Sequence, residues 1–193
     1  MDRFFQIALT FIPGVGGKTA RQILEFYPDP ECLFKENRKA LEAAFGKREI
    51  VEHILSKSMF ADVEKELEFV EKNKIDVLFF NDDRFPQRLK RADCSDTPVL
   101  LYYRGTSDLN ATKIVSIVGT RKATEYGRSF TEELVKDLSS ENILVTSGLA
   151  YGIDGCAHRA ALSNGLETVG ILGHGLSHIY PAEHRNLAKE MLE

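Results

Sequence analysis

The sequence lacks the features that export or membrane insertion requires. No stretch approaches the roughly 20 consecutive apolar residues of a membrane-spanning helix, and the N-terminal segment MDRFFQIALTFIPG has neither a basic leader nor a small-residue cleavage site. We therefore expect a cytoplasmic protein. Its 193 residues, 43% of them hydrophobic, are enough to bury a core in one large domain and a smaller one.

Cysteine and metal-binding motifs are also scarce. The three cysteines, Cys32, Cys94 and Cys156, lie far apart without a CxxC pair, which argues against a disulfide framework and against a zinc site. Four histidines are grouped in the C-terminal part of the chain: His158, His174, His178 and His184. Their spacing lacks the carboxylate-backed ligand set of an HExxH motif. We predict reduced thiols and no bound metal.

Nucleotide motifs and an excess of positive charge are missing as well. Neither GxGxxG nor GxxxxGK[ST] occurs, so dinucleotide and ATP binding of the usual kinds are disfavoured and no cofactor is expected. The net charge is −4. Because Lys and Arg supply much of the affinity for nucleic acid, any surface that binds it must be local.

What the sequence does contain is a β-α-β pattern between Ile114 and Gly155. The β-branched run IVSIV ends at Gly119, and the run ILV precedes Thr146 and a second glycine. Apolar residues between them recur at helical spacing and predict a helix face packed on a parallel sheet: Phe130, Leu134, Val135 and Leu138. The segment VGIL at 169–172 predicts a third strand, so the expected fold class is α/β with a parallel sheet.

The loops after these strands are expected to meet at the carboxyl edge of the sheet, where doubly wound folds bind ligands. Glycine permits close approach of a ligand, and arginine offers a fork of donors suited to phosphate. The ligand should therefore be anionic. The candidate phosphate-binding residues are Gly119, Thr120, Arg121, Arg128, Ser147, Gly148, Tyr151, Gly173 and His174. No catalytic residue is assigned, because Asp154 is better explained as a helix N-cap.

Residues 1–60 predict a small all-α domain. The turn PGVG at 13–16 lies between two apolar helical patterns, which is typical of a helix-hairpin-helix. In that motif the backbone N–H groups of the turn hold a DNA phosphate, and the candidate residues here are Gly14, Gly16, Lys18 and Thr19. An αα-hairpin that serves architecture or protein interaction explains the same glycines. Both interpretations stay open.

A connecting helix is predicted over 61–74, followed by the α/β domain over 75–193. Strands are predicted at 75–80 and 98–105, and we expect them to extend the parallel sheet.

Three motifs in order resemble the DNA-processing protein A family (DprA, also called Smf): GTRKATEYG, SGLAYGIDGCAH and GILGHGLSHIYPAEHRNL. The resemblance implies a Rossmann-like three-layer fold with a parallel sheet, preceded by a small SAM/helix-hairpin-helix-like domain. It also implies a non-enzymatic protein that binds single-stranded DNA, protects incoming DNA in natural transformation and loads the RecA recombinase. The family often has arginine where this chain has Tyr151, which removes one positive charge from the expected site.

Full-length members of the family continue through an FPxRNRI motif and further strands, which this sequence does not contain. The resemblance therefore implies an incomplete Rossmann-like domain. A bare sheet edge after Ile171 favours pairing with another chain, so we expect a homo-oligomer or partial disorder at the C-terminus.

Two other classes of function remain open. One is a nucleotide- or phosphoribosyl-processing hydrolase, because similar Rossmann-like domains with glycine loops act on nucleoside phosphates. Its weakness is the lack of an acid/base pair, since Asp154 is predicted to cap a helix and Glu125 to be solvated. The other is a scaffold whose N-terminal helices recruit another protein.

Overall fold

The computed structural model describes residues 2–46, 49–91 and 97–193, so Cys94 lies outside the described residues. The chain divides into two compact units, Met1–Arg104 and Gly105–Glu193. Within the described residues, no helix has the length and apolar character needed to cross a membrane. The domain boundaries predicted at 60 and 75 stay a prediction.

The first unit begins with helices, as the sequence predicts. Helices α1 to α6 span Arg3–Phe11, Gly17–Phe26, Pro30–Lys35, Arg38–Phe45, Glu49–Ser56 and Phe60–Lys72. Three of them begin at polar N-caps, because the side chains of Asp2, Asp29 and Asn37 accept a hydrogen bond from an N–H of the first turn. Their apolar faces meet in a core that includes fully buried Ile7 and Leu33.

Two strands and a short helix complete the first unit. Strands β1 (Asp76–Phe79) and β2 (Leu100–Tyr103) pair antiparallel, and α7 (Gln87–Arg91) lies between them in the chain. The expectation that these strands extend the parallel sheet is wrong: in the described residues they form a two-stranded sheet of their own. A short run of apolar residues indicates a buried strand but does not specify which strand it pairs with. The sequence therefore could not show that β1 and β2 pair with each other.

The second unit contains the predicted β-α-β pattern. Its strands are β3 (Ile114–Ser116), β4 (Leu144–Ser147) and β5 (Thr168–Gly170), and both neighbouring pairs are parallel in the order β3-β4-β5. Its helices are α8 (Glu125–Asp137), α9 (Ile153–Ser163) and α10 (Arg185–Glu190), with 3-10 turns at Leu138–Glu141 and Ala182–His184. The predicted α/β class is thus confirmed.

Helices α8 and α9 pack together and cover the three-stranded sheet. The core comprises Val135, Ile143, Val145, Ala157, Ala160, Ala161 and Leu166, with Val115, Ile117 and Leu138 packed against it. Three of the α9 residues are alanines, whose small side chains let the helix approach its neighbours closely.

The packed face of α8 differs in part from the prediction. Val135 and Leu138 contact the core, but Phe130 and Leu134 are 55% and 37% exposed. Together with Tyr126, which is 80% exposed, they form what we call the α8 stripe. The buried face includes Thr131, whose hydroxyl donates to the carbonyl of Gly127 at 2.7 Å and is thereby satisfied within the helix. The apolar pattern alone could not reveal that a threonine occupies the buried face.

His158 on α9 is completely buried. Its Nδ1 lies 2.6 Å from the Thr168 hydroxyl, which itself donates to the carbonyl of Val145 at 3.0 Å. Since the Thr168 proton is engaged there, Nδ1 must carry the hydrogen and donate to Thr168. Nε2 has no partner among the described residues. Burial lowers the pKa of His158 from 6.5 to about 4.

This depressed pKa makes the stability of the second unit sensitive to acid. The unfolded chain takes up the His158 proton near pH 6.5, whereas the folded chain takes it up only near pH 4. The free energy of unfolding should therefore fall by about 3 kcal/mol as the pH drops through this window. We expect His158→Asn, which keeps a donor towards Thr168, to show a weaker pH dependence in urea unfolding between pH 7 and about 4.

His178→Asn serves as the control, since His178 is exposed in the same unit. It should retain the acid sensitivity of the unsubstituted chain. An unchanged pH dependence in the His158 variant would contradict the assignment.

Candidate nucleic-acid interface

The loops that follow the three parallel strands lie side by side at one edge of the sheet. The N–H of Ile117 donates to the carbonyl of Thr146 at 2.9 Å, and the N–H of Ile171 donates to the carbonyl of Ser147 at 2.7 Å. The first loop also contacts the start of α9, because Ile153 N–H donates to the carbonyl of Thr120 at 3.2 Å. The predicted residues of the first and second loops are thus brought together.

A buried carboxylate bridges these two loops. Asp154 Oδ1 accepts from the N–H of Gly119 at 3.3 Å, and Oδ2 accepts from that of Gly148 at 3.2 Å. The interpretation of Asp154 as a helix N-cap is wrong, since the cap is Gly152 and Asp154 lies in the first turn. The helix dipole stabilises a negative charge there. The two amides predicted to bind phosphate therefore already have an internal acceptor.

Close packing explains the glycines of these loops. A Cβ at Gly119 would lie 2.7 Å from Cγ1 of Ile153, and a Cβ at Gly148 would lie 2.8 Å from Oδ2 of Asp154. Gly152 has φ +80°, and a Cβ there would collide with the carbonyl oxygen of Thr120. We conclude that the glycines allow the loops to approach each other and the start of α9.

Most polar side chains of the first two loops also have internal partners. The hydroxyl of Ser147 donates to the carbonyl of Ile117 at 2.6 Å, and Nη2 of Arg128, which lies on α8 after the first loop, donates to the carbonyl of Ala123 at 3.1 Å. Thr120 Oγ1 accepts from an N–H at 3.2 Å, so its hydroxyl hydrogen can still donate outwards.

In the first loop, Arg121 has a charged group that is open to a ligand. Its side chain is exposed, and it forms no ion pair with any residue in the described ranges. A free guanidinium with five N–H donors can bind a phosphate oxygen pair in a bidentate manner.

Tyr151 joins the second loop to the segment after β5. Its hydroxyl donates to Oε2 of Glu183 at 2.6 Å, which raises the pKa of Tyr151 and lowers the pKa of Glu183. Its ring meets Tyr180 and His184 edge to face, with centroids 6.5 and 5.7 Å away. Sequence reasoning missed Glu183 and Tyr180, because no local pattern pairs residues so far apart in the chain.

The third loop is less tightly packed. Nδ1 of His174 lies 2.9 Å from the carbonyl of Gly175, and the ring stacks on His178 with centroids 4.6 Å apart. A Cβ at Gly173 would meet no atom within 4 Å. In the described residues, no group of three or more potential ligands is arranged to hold a metal ion.

The N-terminal hairpin, which belongs to the first unit, has a glycine turn between α1 and α2. Gly14 has φ +79°, and Val15 N–H donates to the carbonyl of Ile12 at 3.0 Å. Gly16 is the N-cap of α2 and provides no side-chain hydrogen bond. Lys18 is exposed, whereas Thr19 lines a cleft of about 540 Å³ beside Phe26 and Phe45. Whether these residues bind phosphate stays a prediction.

Comparisons with known proteins match this architecture. A family model described as DNA recombination-mediator protein A matches residues 76–193. The chain is 41% identical over 106 residues to DNA processing protein DprA of Streptococcus pneumoniae, which is 55% of this chain and 36% of that protein. The X-ray structure of the pneumococcal DprA superimposes with a TM-score of 0.73 and 27% identity, covering 98% of this chain and 64% of that one.

A second solved structure is described as giving insights into the single-stranded DNA binding mode of DNA processing protein A from Helicobacter pylori. It matches with a TM-score of 0.53 and 26% identity, covering 62% of this chain and 52% of that chain. The present chain thus spans less than two thirds of the length of these relatives.

The packing at Gly152 leads to a prediction about the loop geometry. Gly152→Ala should destabilise the second unit by about 3 kcal/mol or more, because it combines a positive φ with a backbone collision. Gly165→Ala is the matched control, since Gly165 has φ +68° but open space around its Cβ position. That variant should cost only about 1 kcal/mol. Urea unfolding of both variants measures the difference, and equal losses would refute the proposed collision.

Proposed function

The chain belongs to the DNA recombination-mediator protein A family, and on that premise we propose that it is a non-enzymatic protein that binds single-stranded DNA in DNA processing. The observation that carries this proposal is the free guanidinium of Arg121 on a loop that Asp154 bridges to its neighbour. Positive charge on a loop whose backbone is held suits phosphate recognition, because only the arginine side chain has to be ordered when the ligand binds.

Arg121 and the Thr120 hydroxyl are the proposed main phosphate donors, with Arg128 as a further donor on α8. The internal hydrogen bonds of Gly119, Ser147 and Gly148 favour a positioning role for these residues. Tyr151, Gly173 and His174 remain proposed members of the same interface.

The two hydrogen bonds that Asp154 accepts from backbone amides also favour a binding protein over the alternative hydrolase. A general base must accept a proton from the reacting group, and this carboxylate instead accepts from Gly119 and Gly148. We also propose that the chain uses no cofactor, because the sequence contains neither GxGxxG nor GxxxxGK[ST].

The biological setting follows from the family. The described binding mode of the Helicobacter pylori relative supports single-stranded DNA as the ligand. Protection of incoming DNA in natural transformation and loading of RecA are proposals that rest on the resemblance. A cytoplasmic location and a second phosphate contact at the glycine turn of the N-terminal hairpin are proposals that rest on the sequence patterns described above.

Arg121→Ala should weaken binding of a single-stranded oligonucleotide and reduce the slope of log affinity against log salt by about 0.7, the value for one lost phosphate contact on a single strand. Fluorescence anisotropy at several salt concentrations measures both quantities. Lys136→Ala is the control, because it removes the same charge from an exposed position in the last turn of α8. A folded Arg121 variant with unchanged affinity and slope would exclude the assigned site.

We also propose self-association through the edge of β5. This strand ends the three-stranded sheet on one side, and Ile171 just beyond it is 64% exposed. A charge on such an edge opposes pairing with another chain. Ile171→Lys should therefore shift sedimentation towards monomer, whereas Val118→Lys, which alters a 73% exposed residue after β3 at the other edge, should not. A concentration-independent monomer in the unsubstituted chain would rule this out.

A further inference from the structure

Two tyrosine rings form an exposed pair beside the second glycine loop. Tyr151 is 37% exposed and Tyr180 is 61% exposed, and their ring planes meet at 76°. An edge-to-face contact covers only part of each ring, so much of the Tyr180 ring is open to solvent.

The pair is fixed to the loop from two sides. The hydroxyl of Tyr151 donates to Glu183, which restrains the far end of the ring. The ring of His184 contacts the ring of Tyr151, and its Nδ1 lies 2.9 Å from the carbonyl of Leu149. Since a carbonyl only accepts, this nitrogen donates. His184 is itself 4% exposed, so the segment that carries Tyr180 is anchored in the core. Part of the ordering cost of holding these rings has therefore been met before any ligand binds.

Exposed rings in a fixed arrangement are suited to stacking rather than to charge recognition. Proteins that bind single strands without sequence preference combine a charged track for the backbone with aromatic rings on which bases stack. Here Tyr151 follows Gly148 by three residues, so the rings adjoin the second loop, which Asp154 bridges to Gly119 in the loop that carries Arg121. A base can reach an aromatic ring only when it is unpaired, which excludes intact duplex.

We propose that Tyr180 and Tyr151 form a stacking platform for an unpaired nucleobase, next to the proposed phosphate contact of Arg121. This inference rests on the proposed function and adds to it the recognition of the base. Tyr180 is the outer ring that contacts the base, and Tyr151 supports it while its hydroxyl holds Glu183.

The test separates base contacts from phosphate contacts. Anisotropy titrations compare an oligothymidylate with an abasic strand of the same length, which carries the same phosphates but no bases. We expect the unsubstituted chain to bind the oligothymidylate about 5- to 150-fold more tightly, as one stacked base implies. Tyr180→Ala should lose this preference while its affinity for the abasic strand stays the same, and Tyr180→Phe should keep the preference because the ring remains.

Tyr126→Ala is the matched control, since Tyr126 is an exposed tyrosine on the α8 stripe. It should behave like the unsubstituted chain. The chain has no tryptophan, so its intrinsic fluorescence comes from tyrosine. Oligothymidylate should quench this fluorescence more than the abasic strand does, and Tyr180→Ala should reduce the difference.

The outcomes distinguish failure of the stacking platform from failure of single-strand binding as a whole. Equal affinity of the unsubstituted chain for both strands overturns the stacking platform but leaves phosphate binding intact. Loss of the base preference in the Tyr126 variant and not in the Tyr180 variants also overturns it. If the unsubstituted, folded chain binds neither strand, the proposed function fails and this inference fails with it.

Discussion

The hydrogen bonds of the Asp154 carboxylate are the constraint on which the site depends. One side chain accepts from Gly119 after β3 and from Gly148 after β4, so it fixes two loops that belong to different strands. A carboxylate that is 6% exposed is costly to bury unless its oxygens are paired, and here both are. Its position in the first turn of α9 adds the favourable field of the helix. The strands, the loops and α9 are therefore held in one arrangement.

Because of these contacts, Gly119 and Gly148 have a different role from the one that the sequence predicts. In the sequence, Gly119 and Gly148 indicate room for a ligand to approach. In the structure the space is taken by Ile153 and by Asp154 itself, which a Cβ would meet at 2.7 and 2.8 Å. The loops are thus shaped by contacts within the protein, and the proposed ligand-binding groups are side chains exposed on them, above all Arg121.

The sequence was informative where a property is local and periodic. The β-branched runs and the helical spacing between them predicted the parallel sheet, and consecutive motifs placed the glycine loops at its edge. It was uninformative where the property depends on a distant partner. Nothing in the run of residues 76–79 says that it pairs with 100–103, and nothing around Tyr151 indicates Glu183. On α8 the error had another source, since Thr131 satisfies its hydroxyl inside the helix and so occupies the buried face.

Charge then limits how such a protein can hold a nucleic acid. The net charge is −4, and the second glycine loop carries Tyr151 rather than a cation at this point. Each phosphate contact contributes affinity that salt removes, whereas stacking on an aromatic ring is far less sensitive to salt. The proposed binding of a strand at physiological salt would therefore gain from non-ionic contacts that supply part of the affinity. A tyrosine whose hydroxyl is bonded to Glu183 suits these terms, because it offers a ring that is restrained in position and whose stacking does not depend on salt.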